Sequence, residues 1–112
     1  MQFSEYEKEA LSLAMVSESV NGVPAWVYFT LGLIGEAGEV SEKIKKILRD
    51  GGAVLTPEAK KEILKEIGDV LWYAAALARE LGSSLEGAAV ANIEKLTSRR
   101  ARGVLHGSGD NR

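Results

Sequence analysis

The chain has 112 residues, enough for one domain with a modest core and too few for two. Apolar residues make up 46% and charged residues 27%, a globular balance, and a formal net charge of -2 gives no general attraction to nucleic acid or to an acidic membrane. There is no cysteine, which excludes disulfides and thiolate metal sites.

MQFSEYEKEA has neither a basic n-region nor an apolar h-region and is not expected to be a signal peptide. The least charged run, Val16 to Gly35, is interrupted by Glu18, Asn21, Gly22 and Pro24 and is not expected to span a membrane. The expected location is cytoplasmic. Ser4-Glu5-Tyr6-Glu7 fits a capping box, so a first helix is expected from there to about Ser19. Asn21-Gly22-Val23-Pro24 is turn chemistry, with Pro24 placed to start a second helix that stops at Asp50-Gly51-Gly52. Thr56-Pro57 opens a third helix running to Leu81-Gly82, and Ser83-Ser84-Leu85-Glu86 opens a fourth that fades near Arg100. No pair of strands is expected. Residues 1–102 form the expected domain; Gly103 to Arg112 is a glycine-rich polar tail, expected to fold over something or to stay mobile.

Ile63, Ile67, Val70, Ala74, Leu77 and Leu81 make one apolar stripe on the third helix, and Leu64, Leu71, Ala75 and Ala78 make a second. From Val70 to Ala78, VLWYAAALA is apolar nearly all round. A helix of that kind needs cover on most sides. The expected fold is therefore all-α, a four-helix bundle completed by oligomerisation, as a dimer or a tetramer.

The second helix carries an apparent conflict. Its stretch LGLIGEAGEV holds three glycines, each costing roughly 1 kcal/mol relative to alanine in a helix interior. It also holds Glu36 and Glu39 on one side of the helix. The third helix repeats the device in Glu66-Ile67-Gly68-Asp69, again two acids three residues apart with a glycine before the second. Helices joined by a short connection lie antiparallel, so both pairs can meet across one groove. Four carboxylates within about 6 Å would repel neighbour by neighbour by on the order of 2–3 kcal/mol at an effective dielectric of 20. A cation resolves that repulsion, and an all-oxygen ligand set selects Mg²⁺, or Mn²⁺, over zinc. Glycines beside the acids would let a helix or a ligand approach closely, while Gly32 and Gly35 could equally serve helix packing.

The two acid motifs, with residues 40–65 between Glu39 and Glu66, resemble the all-α nucleoside triphosphate pyrophosphohydrolases of the MazG-like superfamily. GLIGEAGEVSEKIKK and KEIGDVLWYAAALARELG carry the resemblance across most of residues 25–100. It implies Mg²⁺ held by Glu36, Glu39, Glu66 and Asp69, the four catalytic candidates, and hydrolysis of a nucleoside triphosphate to a monophosphate and pyrophosphate. The implied role is removal of unwanted nucleotides; dUTP, dCTP and phosphoribosyl-ATP pyrophosphohydrolases are related possibilities. By position, Glu39, Glu66 and Asp69 hold the metal first, with Glu36 divided between ligand and general base.

Asn92, Lys95 and Arg99 share a face of the fourth helix and resemble the family's phosphate-contacting helix; the alternative is a solvated basic helix end. Lys43 and Lys46 read as surface lysines. Tyr73 and Trp26 are the candidates to contact the nucleotide, Trp72 reads as core or interface, and the lone His106 as a bystander. From a different class, the chain could be a non-catalytic helical interaction module with a solvated acidic face. Nucleic acid is an unlikely partner, since the arginines of the tail are sparse.

Overall fold

The computed structural model describes residues 1–14 and 18–112. Helix α1 covers Phe3–Ser12, strand β1 Ser19–Val20, strand β2 Val23–Pro24, and helices α2, α3 and α4 cover Ala25–Asp50, Pro57–Glu80 and Leu85–Ala101. Helices α2, α3 and α4 stand where the start and stop signals put them. Thr56 accepts from the Ala59 N–H at 3.1 Å and Ser84 from the Gly87 N–H at 3.0 Å, satisfying donors that a helix start leaves unpaired.

Two expectations are corrected. The first helix starts earlier and ends earlier: Gln2 is its N-cap, its N–H donating to the Glu5 carboxylate at 2.8 Å, and α1 stops at Ser12 rather than Ser19. Of the expected continuation, residues 15–17 lie outside the described ones. A strand pair also exists, since β1 and β2 pair antiparallel around Asn21-Gly22. Both turn residues have positive φ, 50° and 79°, the left-handed geometry that a two-residue hairpin needs. Asn-Gly is the strongest short hairpin signal, and the flanks were too short for alternation to reveal the strands.

The long pair α2 and α3 forms the body of the molecule, with α1 packed on α3 and α4 reaching α1 and α3. Fully buried Phe29 lies at the centre with Ala25 and Ala76, covered by Leu11, Trp72, Tyr73 and Leu77. Phe29 meets the Trp72 ring edge-on at 5.9 Å, and Trp72 meets Tyr73 at 5.0 Å, a geometry aromatic quadrupoles favour. The Trp72 indole N–H donates to the Ala10 carbonyl at 3.0 Å, tying α1 to α3 and placing Trp72 in the core.

Gly32 has a structural reason. A Cβ at that position would lie inside van der Waals contact of the Tyr73 ring, so the missing side chain lets α3 close on α2. Gly32→Ala is expected to push Tyr73 out of the aromatic group and destabilise the protein by about 1–3 kcal/mol, read as a lower urea midpoint at unchanged m. Gly35, Gly38 and Gly68 differ: a Cβ on any of them would meet nothing within 4 Å. They face open space beside the acids.

α4 is held at its start, where Leu85 is buried and its N–H donates to the Glu7 carboxylate at 2.7 Å. Beyond that α4 does not approach α2 among the described residues. No helix of the described residues is long and apolar enough to cross a membrane.

Candidate metal centre

The antiparallel pairing of α2 and α3 sets the two acid motifs opposite one another. Glu36, Glu66 and Asp69 each offer a carboxylate oxygen, and the three oxygens lie within 4.8 Å of one another. Glu39 is not in this group; it is exposed, one helical turn along α2. Its field is nonetheless felt there. Desolvation first, then the charges of Asp69, Glu66 and Glu39, pushes the Glu36 carboxyl above its ordinary range. Three hard oxygens from two rigid helices, next to glycines that leave the groove open, suit a divalent cation with room for substrate oxygens.

A pH dependence follows from the raised Glu36 value. The folded protein binds this proton more tightly than the unfolded chain, so the contribution to metal-free stability grows as pH falls through the raised value towards the ordinary carboxyl range. A cation needs the ionised form, so its affinity should fall over the same window. Titration calorimetry with Mg²⁺ and urea unfolding of the metal-free protein, each at several pH values, should therefore show opposite trends. Glu36→Gln should remove this part of the stability trend.

Tyr73 lies beside the cluster. Burial first and then neighbouring Tyr28 hold its phenol above the ordinary value, with Glu36 and Asp69 adding to the effect. Tyr6, on α1, is shifted the same way by burial and by Asp69, so a residue that the sequence reading passed over also borders the site. Trp26 is half exposed at the start of α2.

Lys43 is no bystander. Its ammonium sits 3.0 Å from the Glu66 carboxylate and 4.0 Å from that of Glu62. The Glu39-to-Lys43 spacing of one helical turn was the available signal.

The α4 residues are placed otherwise. Asn92 is exposed, and among the described residues Lys95 and Arg99 pair with Asp110 and not with the acids of α2 and α3. Arg99 is buried and donates to the Asp110 carbonyl at 2.6 Å and to its carboxylate at 3.2 Å. Lys95 reaches the same carboxylate at 3.4 Å, and these two cations hold the Asp110 carboxyl below its usual range. Arg102 donates to the Arg112 carbonyl at 2.9 Å, and Arg112 donates back to the carbonyls of Val104 and Leu105. The tail from 103 to 112 is thus folded onto the end of α4, with His106 exposed in it.

The model of the MazG nucleotide pyrophosphohydrolase domain matches residues 28–104, a span holding α3, α4, all of α2 but its first turn, and both acid motifs. This chain belongs to that family. The Gene 37 protein of Mycobacterium phage L5 is 48% identical over 95 residues, covering 85% of this chain and 81% of that protein. No solved structure matches. The four-helix architecture is consistent with the all-α fold of that family.

Proposed function

We propose that the protein is a Mg²⁺-dependent pyrophosphohydrolase that converts a nucleoside triphosphate to its monophosphate and pyrophosphate. The observation that carries this reading is the convergence of Glu36, Glu66 and Asp69 between two helices of a MazG chain. These three would hold Mg²⁺, with Mn²⁺ as a substitute, and the ion would neutralise the phosphates and act as a Lewis acid on the phosphoryl oxygens. Glu39, outside the three-oxygen group and one helical turn along α2, is free to take the proton of the attacking water. Tyr73, packed beside the acids, and Trp26, half exposed, offer aromatic surface for the base.

The active particle is a homo-oligomer in the cytoplasm. Asn92, Lys95 and Arg99 contact the phosphates from the α4 of another copy, a reading supported by the pairing of Lys95 and Arg99 with Asp110, and not with the acids of α2 and α3, within one chain. Asp110 pairs with both Lys95 and Arg99, and a phosphate would take the place of its carboxylate. The role that fits is clearance of unwanted nucleotides.

A panel of ribo- and deoxynucleoside triphosphates incubated with Mg²⁺ tests the reaction. The expected products are monophosphate and pyrophosphate with no diphosphate intermediate. Diphosphate with orthophosphate would place the attack at the γ-phosphorus and overturn the reading. Lys95→Ala is expected to slow turnover through lost charge stabilisation while Mg²⁺ affinity, measured by calorimetry, stays unchanged.

A further inference from the structure

Most ion pairs of α2 and α3 are local and solvated: Lys45 and Lys46 with Glu42, Lys65 with Glu62, Arg49 with Asp50. Such pairs contribute little. Among the described residues, the pairs that join α2 to α3 both use Lys43. Its side chain is 30% exposed and that of Glu66 is 18% exposed, well below the 59% and 38% of Lys45 and Glu42. The ammonium is set there by spacing, since Lys43 follows Glu39 by one helical turn and faces Glu66 on the antiparallel helix. It partly neutralises a cluster whose three carboxylate oxygens lie within 4.8 Å of one another and repel in its absence.

We propose that Lys43 is an exchangeable counter-ion: it holds Glu66 while the centre is empty, yields it to the metal, and then binds the outer phosphates of the metal-held substrate. The proposal rests on the metal reading above. An ammonium and a divalent cation cannot share one carboxylate without mutual repulsion, and the doubly charged ion with three carboxylates to gain displaces an ammonium that keeps Glu62 as a second partner. The displaced group is a point charge with three donors on a four-carbon stem, suited to phosphate. It has somewhere to go. A cleft of about 200 Å³ lined by Lys43, Lys46, Ile47, Ala59 and Glu62 opens beside it. A triphosphate anchored at the carboxylates would bring its outer charges past the position that Lys43 vacates.

Linkage makes the exchange measurable. If Lys43 opposes the metal, its removal must tighten metal binding, and if it then serves phosphate, the same removal must weaken phosphate binding. The experiment is calorimetric titration of Mg²⁺ into metal-free protein, followed by inorganic pyrophosphate into the Mg²⁺-saturated protein, for the parent, Lys43→Met and Lys43→Arg. Lys43→Met is expected to bind Mg²⁺ about three- to tenfold more tightly and pyrophosphate about tenfold more weakly. Lys43→Arg is expected to restore most of the pyrophosphate affinity. A lysine that merely props the helices together would give a lower melting temperature with both affinities weakened, and that result overturns the proposal. So does equal Mg²⁺ affinity in parent and Lys43→Met, or pyrophosphate affinity that ignores the substitution. Absence of Mg²⁺ binding in the parent protein would overturn the metal reading itself, a result distinct from binding that is equal in the two.

Discussion

Asp69→Asn is expected to lower triphosphate turnover by about a hundredfold or more while leaving the metal-free protein folded and at least as stable as the parent. The two halves have one cause. Asp69 belongs to the three-oxygen group, and its charge heads the charged neighbours that raise the Glu36 carboxyl. Replacing it with a neutral isostere removes a hard anionic ligand and also relieves repulsion in the empty centre. Calorimetry should show weakened Mg²⁺ binding, and the urea midpoint without metal should stay level or rise. In the parent, added Mg²⁺ should raise the melting temperature by mass action, and in Asp69→Asn that rise should shrink. A non-catalytic interaction module with a solvated acidic face makes the opposite forecast, with no ion-dependent stabilisation in either protein. Near-normal turnover of Asp69→Asn in Mg²⁺ would remove Asp69 from the centre.

Sedimentation at micromolar concentration is expected to find a dimer or a larger oligomer and no folded monomer. The support is the apolar surface that one chain leaves uncovered. Leu31, Ile34, Ile44 and Leu48 recur at helical spacing on α2 and are exposed, the first two by 65% and 64%. Leu64 and Ile67 on α3 and Val90, Ile93 and Leu96 on α4 are also exposed. Covering one such side chain stabilises by about 1.5–3 kcal/mol, so a few of them outweigh the entropy of association. The radius of gyration is 17.1 Å, against about 13 Å for a compact chain of this length. Leu31→Lys and Leu64→Lys should each shift the sedimentation profile towards smaller species and lower the melting temperature. A parent protein that runs as a stable monomer would contradict this expectation.

Much of the architecture was legible in the sequence because its signals are local. Thr56-Pro57 and Ser84 announce helix starts by the donors they satisfy, and Gly51 and Gly82 mark ends, none of which needs a distant partner. The helical spacing of Val70, Ala74 and Leu77 likewise announced a covered face on α3. The acid pairs were legible for the same reason, since two carboxylates three residues apart declare a shared helix face whatever the rest of the chain does. The first helix ends short of the expected Ser19 because Ser19 and Val20 pair with Pro24 and Val23 around the Asn21-Gly22 turn, in strands too short to leave a pattern of their own.

Other features depended on which helix lies against which. Gly32 read as either a site glycine or a packing glycine, and the Tyr73 ring from another helix decided for packing, while Gly35, Gly38 and Gly68 were left facing open space. Which three of the four acids draw together depended on the register between α2 and α3, and that register sets Glu36 against Glu66 and Asp69 with Glu39 a turn away. The same register turned Lys43 from a surface lysine into the partner of Glu66. Arg99 and Lys95 read as free cations on a helix face until the tail brought Asp110 back to them. The physical reason is common to all of these. Helix spacing is a property of a segment and can be read along it, but contact between segments depends on their relative register and approach, and those are settled by packing around Phe29 and by charges that meet only after the helices have closed.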